Sequence, residues 1–340
     1  MENTFVFYGN STVGGAVERL AANAGWQRVD QLEDAGAVVT YCTNQQALED
    51  AYFDEGGFVQ SAHPKTLLID LSPSTPGFSR ELSAVALVSD LRPVEAPLAV
   101  IDPTWEDAFS RPENLLCFAA GEEDDVADAR SFLEALAHEV IEEGPLGSAQ
   151  LARAARTIQQ VSALVSSAEA QALCHAVRRS ASAAALAPDA PHPISDVSQR
   201  YLEAILQQRF AGTYTLEMMM GELAAALMAA DDSELILPQA EACMHLLELL
   251  AVIGGSDKAP AALSLVYGEE KDCAEQGLDW TRAEHFYSDQ PEAGHGGLRE
   301  QRDFGDDDSY DEYGDDDYDG YTGYDNDGVY HGGFGSYSPN

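Results

Sequence analysis

The chain has 340 residues, enough for two domains of ordinary size, and 45% of them are hydrophobic, enough for a sizeable core. Its 59 acidic and 18 basic residues give a formal net charge of -41, which repels nucleic-acid phosphates and anionic lipid surfaces, so neither is expected as a direct partner. We expect no signal peptide, and the sequence contains no apolar run of about 20 residues and no CxxC pair among its five cysteines. These features predict a cytoplasmic protein without a membrane span.

Short apolar runs alternate with helical patterns over the first part of the chain. Runs rich in Val, Leu, Ile and Phe predict buried strands at Phe5–Tyr8, Ala37–Cys42, Thr66–Leu71 and Leu115–Ala119. Helical periodicity between and after them predicts helices at Gly15–Ala24, Gln45–Phe53, Ser79–Ser89 and Asp124–His138. This alternation is typical of a mostly parallel sheet with helices on both faces. We therefore predict an α/β domain over residues 1–146.

The strand signals stop near residue 148, and the pattern becomes helical. Amphipathic or nearly all-apolar helices are predicted at Ala149–Arg178, Ser198–Arg209, Thr215–Ala230 and Pro238–Ile253. The predicted second domain, residues 147–268, is therefore all-helical. Its segment 161–182 is rich in Ala and Ser, which suits close contact between helices, either within the chain or between two subunits. The Cys–His pairs at 174–175 and 243–245 lie within these helices and are interpreted as packing residues, so no metal site is predicted from them.

The C-terminal region changes character after the helical pattern. Residues 269–302 are predicted to form an acidic linker, and residues 303–340 contain 11 Asp, 7 Tyr and 8 Gly without Lys or Arg. Such a composition predicts a disordered tail. Asp315, Asp317 and Asp319 precede Gly320 as in the first half of a calcium loop, but the closing Glu is replaced by Asn326, so only weak binding of divalent ions is expected. The tail is otherwise interpreted as a segment that binds a basic protein, or as the substrate of a modifying enzyme.

A glycine-containing turn, GNSTVG, follows the first predicted strand and precedes the first helix. In a dinucleotide-binding turn, Gly9 makes the tight bend, Gly14 allows close packing, and the helix N-terminus faces the pyrophosphate. The intervening cofactor-binding candidates are Ser11, Thr12 and Val13, with Ser11 in place of the middle glycine. Two interpretations stay open at this point: a cofactor loop, and a strand–helix turn without a ligand.

The residues after this first unit are too few for a standard dinucleotide half-site. WQRVD, residues 26–30, could be a very short second strand with Asp30 at its tip, facing the adenosine ribose. However, Ala37 already begins the next buried strand. Either one α/β unit is missing, or these residues belong to the later strand and the ribose-binding element is absent. Both alternatives predict that the adenosine side of the cofactor pocket is truncated.

Nine motifs of the chain resemble those of the β-hydroxyacid dehydrogenase superfamily in sequence, order and spacing. This superfamily contains 3-hydroxyisobutyrate dehydrogenase-like proteins and, as their relatives, imine reductases. The motifs are GNSTVGG, AVVTYC, LLIDLSPSTP, EAP at 95–97, EEGPLGSAQLARAARTIQ, SSAEAQAL, RFAGTYTLEMMMGELAAAL, LILP and GGSDKAPAALSLVYG. The resemblance runs over residues 4–268. It implies a Rossmann-like domain shortened by about one α/β unit, a helical domain that forms an intertwined homodimer, and reduction linked to NAD or NADP in the cleft between the domains, with Ser72 beside the cofactor.

Several positions depart from the pattern that the resemblance implies. The threonine expected after Ser72 is Pro73, which has no hydroxyl group. The Ser-Gly-Gly segment that holds a substrate carboxylate corresponds to Ala99, Val100 and Ile101. Two of these residues are β-branched and would cover the backbone donors that glycine exposes.

The catalytic positions also differ. The catalytic lysine falls on Arg153, and an arginine stays charged and does not give up its proton. An asparagine one helical turn later is Arg156, and a later Lys-Asp pair is Gly221 and Glu222. Arg153 and Arg156 are therefore substrate-binding candidates that would clamp a carboxylate or phosphate together, or else two solvated surface residues.

These departures lead to two hypotheses of function. The first is a non-catalytic dimeric binding or interaction protein that has kept the fold. The alternative is an NAD(P)-dependent oxidoreductase that reduces a hydroxyacid precursor or an imine with atypical catalytic residues.

Overall fold

A computed structural model of the chain describes residues 3–179, 188 and 190–283. The described residues lie within one compact unit, Met1–Pro291. The predicted tail, with Asp315, Asp317 and Asp319, and most of the predicted acidic linker lie outside the described residues.

The first half of the chain forms an eight-stranded sheet with parallel pairing over most of its width. Its strands are β1 (Thr4–Gly9), β2 (Gln27–Arg28), β3 (Ala37–Tyr41), β4 (Leu67–Asp70), β5 (Arg92–Glu95), β6 (Leu98–Val100), β7 (Leu115–Gly121) and β8 (Glu139–Gly144). They follow the order β2-β1-β3-β4-β5-β7-β6, and β8 pairs with β7. Pairing is parallel from β2 to β5 and between β7 and β8, whereas β7 is antiparallel to β5 and β6. The predicted Rossmann-like α/β fold is confirmed.

Five helices accompany this sheet: α1 (Ser11–Ala22), α2 (Gln45–Phe53), α3 (Phe58–Ser61), α4 (Pro76–Val88) and α5 (Glu123–Leu136). All five residues of β3 are buried. Val39 belongs to the larger hydrophobic cluster and Val38 to a second one. Because successive side chains of a strand point to opposite faces, these two clusters lie on opposite faces of the sheet. This burial explains why the strand is apolar throughout.

The strand β2 decides between the two alternatives for residues 26–36. It is only two residues long, pairs with the start of β1, and forms one edge of the described sheet. A Rossmann sheet has a further strand beyond this position. The first alternative is therefore correct: residues 27–28 form the second strand, and the α/β unit that would follow it is missing from the described sheet.

The second half of the chain is helical. It consists of α6 (Ser148–Arg179), α7 (Asp196–Leu206), α8 (Leu216–Asp231), α9 (Pro238–Leu250), a wide turn at Ala251–Gly255, a 3-10 helix at Pro260–Tyr267 and α10 (Glu270–Glu275). The 32-residue α6 begins beside the sheet and spans about 48 Å, so it is shared by both halves. In the described part of the chain, no single helix is long and apolar enough to cross a bilayer; only the segments Pro238–Gly255 and Pro260–Tyr267, bent by 88°, reach the required length and composition when joined.

Three strands, β5, β6 and β8, were not predicted. Pro93 interrupts the apolar pattern of β5, β6 has only three residues, and β8 carries glutamates with no fully buried residue. Helix α1 begins at Ser11 rather than Gly15, because the side chain of Asn10 caps it.

Candidate functional site

The carboxyl ends of the parallel strands meet at one edge of the sheet, where ligands bind in folds of this kind. We call this place the crevice. It is bordered by the residues that follow β1, β3, β4 and β5, and by α6 and α8 from the helical half. Apart from Asp30, which follows β2, the predicted cofactor and catalytic residues come from these elements and from the start of α1.

The loop after β1 needs both of its glycines for packing. Gly9 has a φ of 119°, and a Cβ built on it would lie 2.0 Å from the carbonyl oxygen of Tyr41. A Cβ on Gly14 would lie 2.7 Å from the ring of Phe7. The two glycines therefore allow α1 and its preceding turn to lie against β1 and β3, as the sequence pattern predicts.

The first-turn amides of α1 already have an acceptor. Asn10 Oδ1 accepts hydrogen bonds from the N–H groups of Thr12, at 3.0 Å, and Val13, at 3.2 Å. Ser11 is exposed at the start of the helix. The free N–H groups of a helix N-terminus are the donors that a pyrophosphate takes. A pyrophosphate would therefore have to displace the Asn10 side chain.

The ribose candidate, Asp30, lies two residues beyond β2 and is exposed. Two residues earlier in the sequence, Arg28 pairs with Glu18 of α1 at 3.2 Å. Since β2 is the edge of the described sheet, no further described strand forms a wall on the adenosine side.

Ser72 connects three elements and has no exposed surface. Its Oγ accepts a hydrogen bond from the Cys42 N–H at 2.9 Å, and its carbonyl oxygen accepts one from Gln150 Nε2 at 2.9 Å. Its own N–H donates to Asp70 Oδ1 at 3.0 Å. Ser72 thus ties the ends of β3 and β4 to α6.

Arg153, at the position of the catalytic lysine, forms a buried ion pair. Its guanidinium contacts Glu222 of α8, and the two side chains are 2% and 3% exposed. Arg153 Nε donates to the Leu98 carbonyl at 2.9 Å and a terminal nitrogen donates to Thr157 Oγ1. The Tyr214 hydroxyl donates to the second oxygen of Glu222 at 2.7 Å. All three elements that meet here, β6, α6 and α8, are therefore joined by one polar cluster.

The electrostatics of this cluster oppose proton transfer at neutral pH. Burial alone would lower the pKa of Arg153, but the charge of Glu222 raises it overall. Burial, followed by the charge of Glu222, raises the pKa values of Tyr214 and Tyr41 well above their ordinary value. A general acid or base works best with a pKa near the operating pH, so none of these three groups suits that role.

The segment at the position of Ser-Gly-Gly is part of the sheet. Ala99 and Val100 belong to β6 and pair with β7. The Ile101 N–H donates to the Asn114 carbonyl at 2.8 Å, and the Leu98 N–H donates to the Leu71 carbonyl at 3.1 Å. These backbone donors are therefore already used within the protein.

Gly221 lies where α8 meets the loop after β3. A Cβ built on it would lie 1.8 Å from the Thr43 carbonyl oxygen. Beside this contact, Tyr41 is 1% exposed and packs edge-on against Phe109, with ring centres 5.9 Å apart. These side chains and the approach of α8 occupy the end of the crevice near Tyr41.

Arg156 faces a different environment from Arg153. It lines a groove with Ile101 and with Leu116 and Phe118 of β7. The two arginines, which the sequence places one helical turn apart, are thus directed to different surroundings: Arg153 is fully buried, whereas Arg156 is half-buried.

Two buried carboxyl groups were not singled out from the sequence. Asp70 and Glu95 end the adjacent strands β4 and β5 and are register partners. Glu95 accepts hydrogen bonds from the N–H groups of Gly147 and Gln150, and so caps the start of α6. Burial raises the pKa of Asp70 to about 6 and that of Glu95 to about 7. An acidic residue that ends a buried strand was the signal in the sequence.

The fit of a dinucleotide follows from these contacts. Gly9 and Gly14 retain the backbone geometry of a cofactor loop, and Thr12 and Val13 supply the amides that would hold a pyrophosphate. However, Asn10 caps those amides, and the place that the resemblance gives to the nicotinamide is packed with protein groups. A whole dinucleotide would bind only after both regions had moved.

Comparison with known proteins agrees with this architecture. Residues 11–144 match the family described as the NAD binding domain of 6-phosphogluconate dehydrogenase. The chain is 24% identical over 258 residues to the NAD-dependent L-serine dehydrogenase of Pseudomonas aeruginosa, covering 73% of this chain and 84% of the relative. It is 24% identical over 121 residues to a probable mitochondrial 3-hydroxyisobutyrate dehydrogenase of Dictyostelium discoideum, covering 36% of each chain.

Two solved structures share the fold. The 3-hydroxyisobutyrate dehydrogenase of Mycobacterium tuberculosis, solved with L-serine, has a TM-score of 0.61 at 18% identity, covering 79% of this chain and 100% of that one. The 3-hydroxyisobutyrate dehydrogenase of Salmonella typhimurium has a TM-score of 0.60 at 14% identity, and the match covers 77% of this chain and 99% of that one.

The fold and these matches define a two-part protein in which an NAD-binding-type α/β domain is joined to a helical domain through one long helix. Within that class, the chain is similar to NAD-dependent L-serine dehydrogenase and shares the fold of 3-hydroxyisobutyrate dehydrogenases, as the resemblance to the β-hydroxyacid dehydrogenase superfamily predicts.

Proposed function

We propose that this chain is a non-catalytic member of the superfamily that acts as a dimeric binding or interaction protein. The observation that carries the proposal is the buried ion pair between Arg153 and Glu222. It occupies the position at which the resemblance places the catalytic lysine. Because both groups are paired and shielded from water, neither is free to hold a substrate or to exchange a proton with one.

The packing around this pair supports the same proposal. The resemblance places substrate and nicotinamide in the cleft between the domains, where both need room. In this chain α8 approaches the loop after β3 closely enough that only glycine is accommodated at Gly221. The backbone donors of Leu98 and Ile101 are also used within the protein.

The alternative is an NAD(P)-dependent oxidoreductase with atypical catalytic residues. It is favoured by the match of residues 11–144 to an NAD-binding family and by the retained glycines of the loop after β1. Under this alternative, Asn10 and α8 move on binding. L-serine and 3-hydroxyisobutyrate are then the first substrates to try, because the relatives are named for them.

One experiment separates the two. The full chain is titrated with NADH and NADPH by calorimetry and then assayed for NAD(P)-dependent oxidation of both hydroxyacids. We expect no turnover. The control is Ser11→Trp, which places a bulky group at an exposed position of the cofactor loop without entering the core. Turnover by the wild-type chain that disappears in Ser11→Trp would establish the oxidoreductase.

The partner interactions are proposals as well. We propose that the helical half pairs with a second copy of the chain, since Leu173 on α6 is 67% exposed and lies in the Ala- and Ser-rich segment. Leu173→Glu should shift the mass measured by light scattering toward that of a monomer; an unchanged dimer would exclude this surface.

We further propose that the acidic residues 303–340 bind a basic protein. Deletion of residues 303–340 should remove that binding while leaving the thermal unfolding of residues 1–302 unchanged.

A further inference from the structure

A groove of about 550 Å³ lies between strands β7 and β8, the first half of α6 and the start of α7. It is separate from the Arg153–Glu222 cluster. Its sheet side is apolar and consists of Ile101, Leu116, Phe118 and Ile141. The volume is within the usual range of small-molecule pockets, about 300–1,000 Å³.

One cation faces this apolar wall. Arg156 lines the groove, and its Nε is shielded from water without a hydrogen-bond partner. Within the described residues, its guanidinium forms no ion pair with a carboxylate. Arg92, Arg130 and Arg153, by contrast, each contact at least one carboxylate. An arginine fork that is partly removed from water and lacks an acceptor is an unusual feature in a chain with a net charge of -41.

The charges near Arg156 leave a local excess of positive charge. Arg153 and Arg200 act on it with the same sign, and Glu222 acts with the opposite sign. Glu222 is already paired with Arg153, and Arg200 lies 3.7 Å from Asp102. This small region therefore contains three guanidinium groups but only two carboxylates, those of Glu222 and Asp102. One further anionic group would make the numbers of positive and negative charges equal.

We propose that this groove binds a small organic monocarboxylate with a branched or aromatic body, whose carboxylate is held by Arg156 and whose body lies against Ile101, Leu116 and Phe118. A guanidinium fork matches the two oxygens of a carboxylate. A single negative charge balances the local excess, whereas the second charge of a phosphate dianion would lie against apolar groups without a partner. The assignment concerns a surface outside the crevice and does not depend on whether a dinucleotide binds.

The test uses the full chain and four probes. Calorimetric titrations with benzoate and 3-methylbutanoate should show binding, while benzamide and inorganic phosphate should bind at least about tenfold more weakly, since each lacks either the charge or the apolar body. Arg156→Gln should weaken carboxylate binding by about 10- to 100-fold, the range of a lost charge-assisted hydrogen-bonded pair. Ala155→Trp, at an exposed position that lines the groove, should block binding while keeping the charge.

The matched control is Arg80→Gln, which removes the same charge from an exposed position on α4 and should leave binding unchanged. The proposal is overturned if neither carboxylate binds at millimolar concentration, or if Arg156→Gln binds them as tightly as the wild type. It is also overturned if Arg156→Gln changes the mass measured by light scattering, because the groove would then be an interface between chains.

Discussion

Gly221 of α8 touches the loop after β3 at the carbonyl oxygen of Thr43. A Cβ at Gly221 would lie 1.8 Å from that oxygen, a distance at which the backbone of one element would have to move. The contact joins the helical half to the sheet at the edge where α/β proteins bind their ligands. The resemblance places a lysine at this position, so the absence of a side chain here is directly connected with the closed crevice.

Gly221→Ala is therefore expected to lower the free energy of unfolding by about 1–3 kcal/mol, the usual cost of overpacking. Urea denaturation followed by circular dichroism measures it. Gly15→Ala is the matched control, because Gly15 also lies in a helix but its added Cβ would meet no atom closer than Arg19 Nη1, at 3.6 Å. That control should gain up to about 1 kcal/mol from helix propensity. Equal effects of the two substitutions would contradict the close contact at Thr43.

The Arg153–Glu222 pair gives a second prediction. Arg153→Met leaves Glu222 buried without its cation and should cost about 3–5 kcal/mol of unfolding free energy. In the double variant with Glu222→Gln, neither charge remains, and the amide oxygen still accepts from Tyr214. The double variant should therefore recover at least half of the loss. Strictly additive losses in denaturant unfolding would show that the two side chains are not coupled.

The sequence was sufficient to predict an element where one physical cause, such as burial, shapes the residues of a continuous segment. The strand β3 is apolar at most positions because it is buried on both faces, and α6 shows the helical period because one side of it packs against two halves of the protein. The sequence also points to Gly9 for a tight bend and to Gly14 for close packing, because each stands at a fixed place in a strand–turn–helix unit.

The rest depends on contacts between distant segments. Arg153 was predicted together with Arg156 because spacing along a helix is all that the sequence gives; the partner of Arg153 is on α8, and the groove around Arg156 is formed by β7, β8 and residues near β6. The short polar strand β8 is likewise held by its pairing with β7 rather than by its own pattern.

The cap on α1 provides a third prediction. Asn10→Gly removes the side chain that accepts from Thr12 and Val13, and glycine is a tolerated N-cap, so stability should fall by only a few tenths of a kcal/mol. The freed amides should bind ADP at lower concentration than in the wild type. Calorimetric titration with ADP measures this, with Asn44→Gly, which uncaps α2, as the control. An unchanged affinity for ADP in Asn10→Gly would show that the cap does not compete with a pyrophosphate.

Asp70 gives the chain a pH-dependent stability. Its carboxyl is 3% exposed, and burial raises its pKa from 3.8 to about 6, although hydrogen bonds from Ser72 and Thr40 oppose the rise. The folded chain therefore holds this proton more tightly than the unfolded chain. Folding takes up a proton between about pH 4 and pH 6, so the contribution of Asp70 to the unfolding free energy decreases as pH rises through this window.

Asp70→Asn removes this titration while keeping an acceptor for Thr40 and Ser72, which both donate to the same oxygen, Oδ1. A pKa rise from 3.8 to about 6 corresponds to about 3 kcal/mol, so the variant should gain stability relative to the wild type by about that amount between pH 4 and pH 8. Urea denaturation at several pH values, in high salt to screen the repulsion among surface carboxylates, measures the difference. If the two proteins keep a constant difference in unfolding free energy over this range, Asp70 is ionised equally in the folded and unfolded chains, and burial does not control its charge.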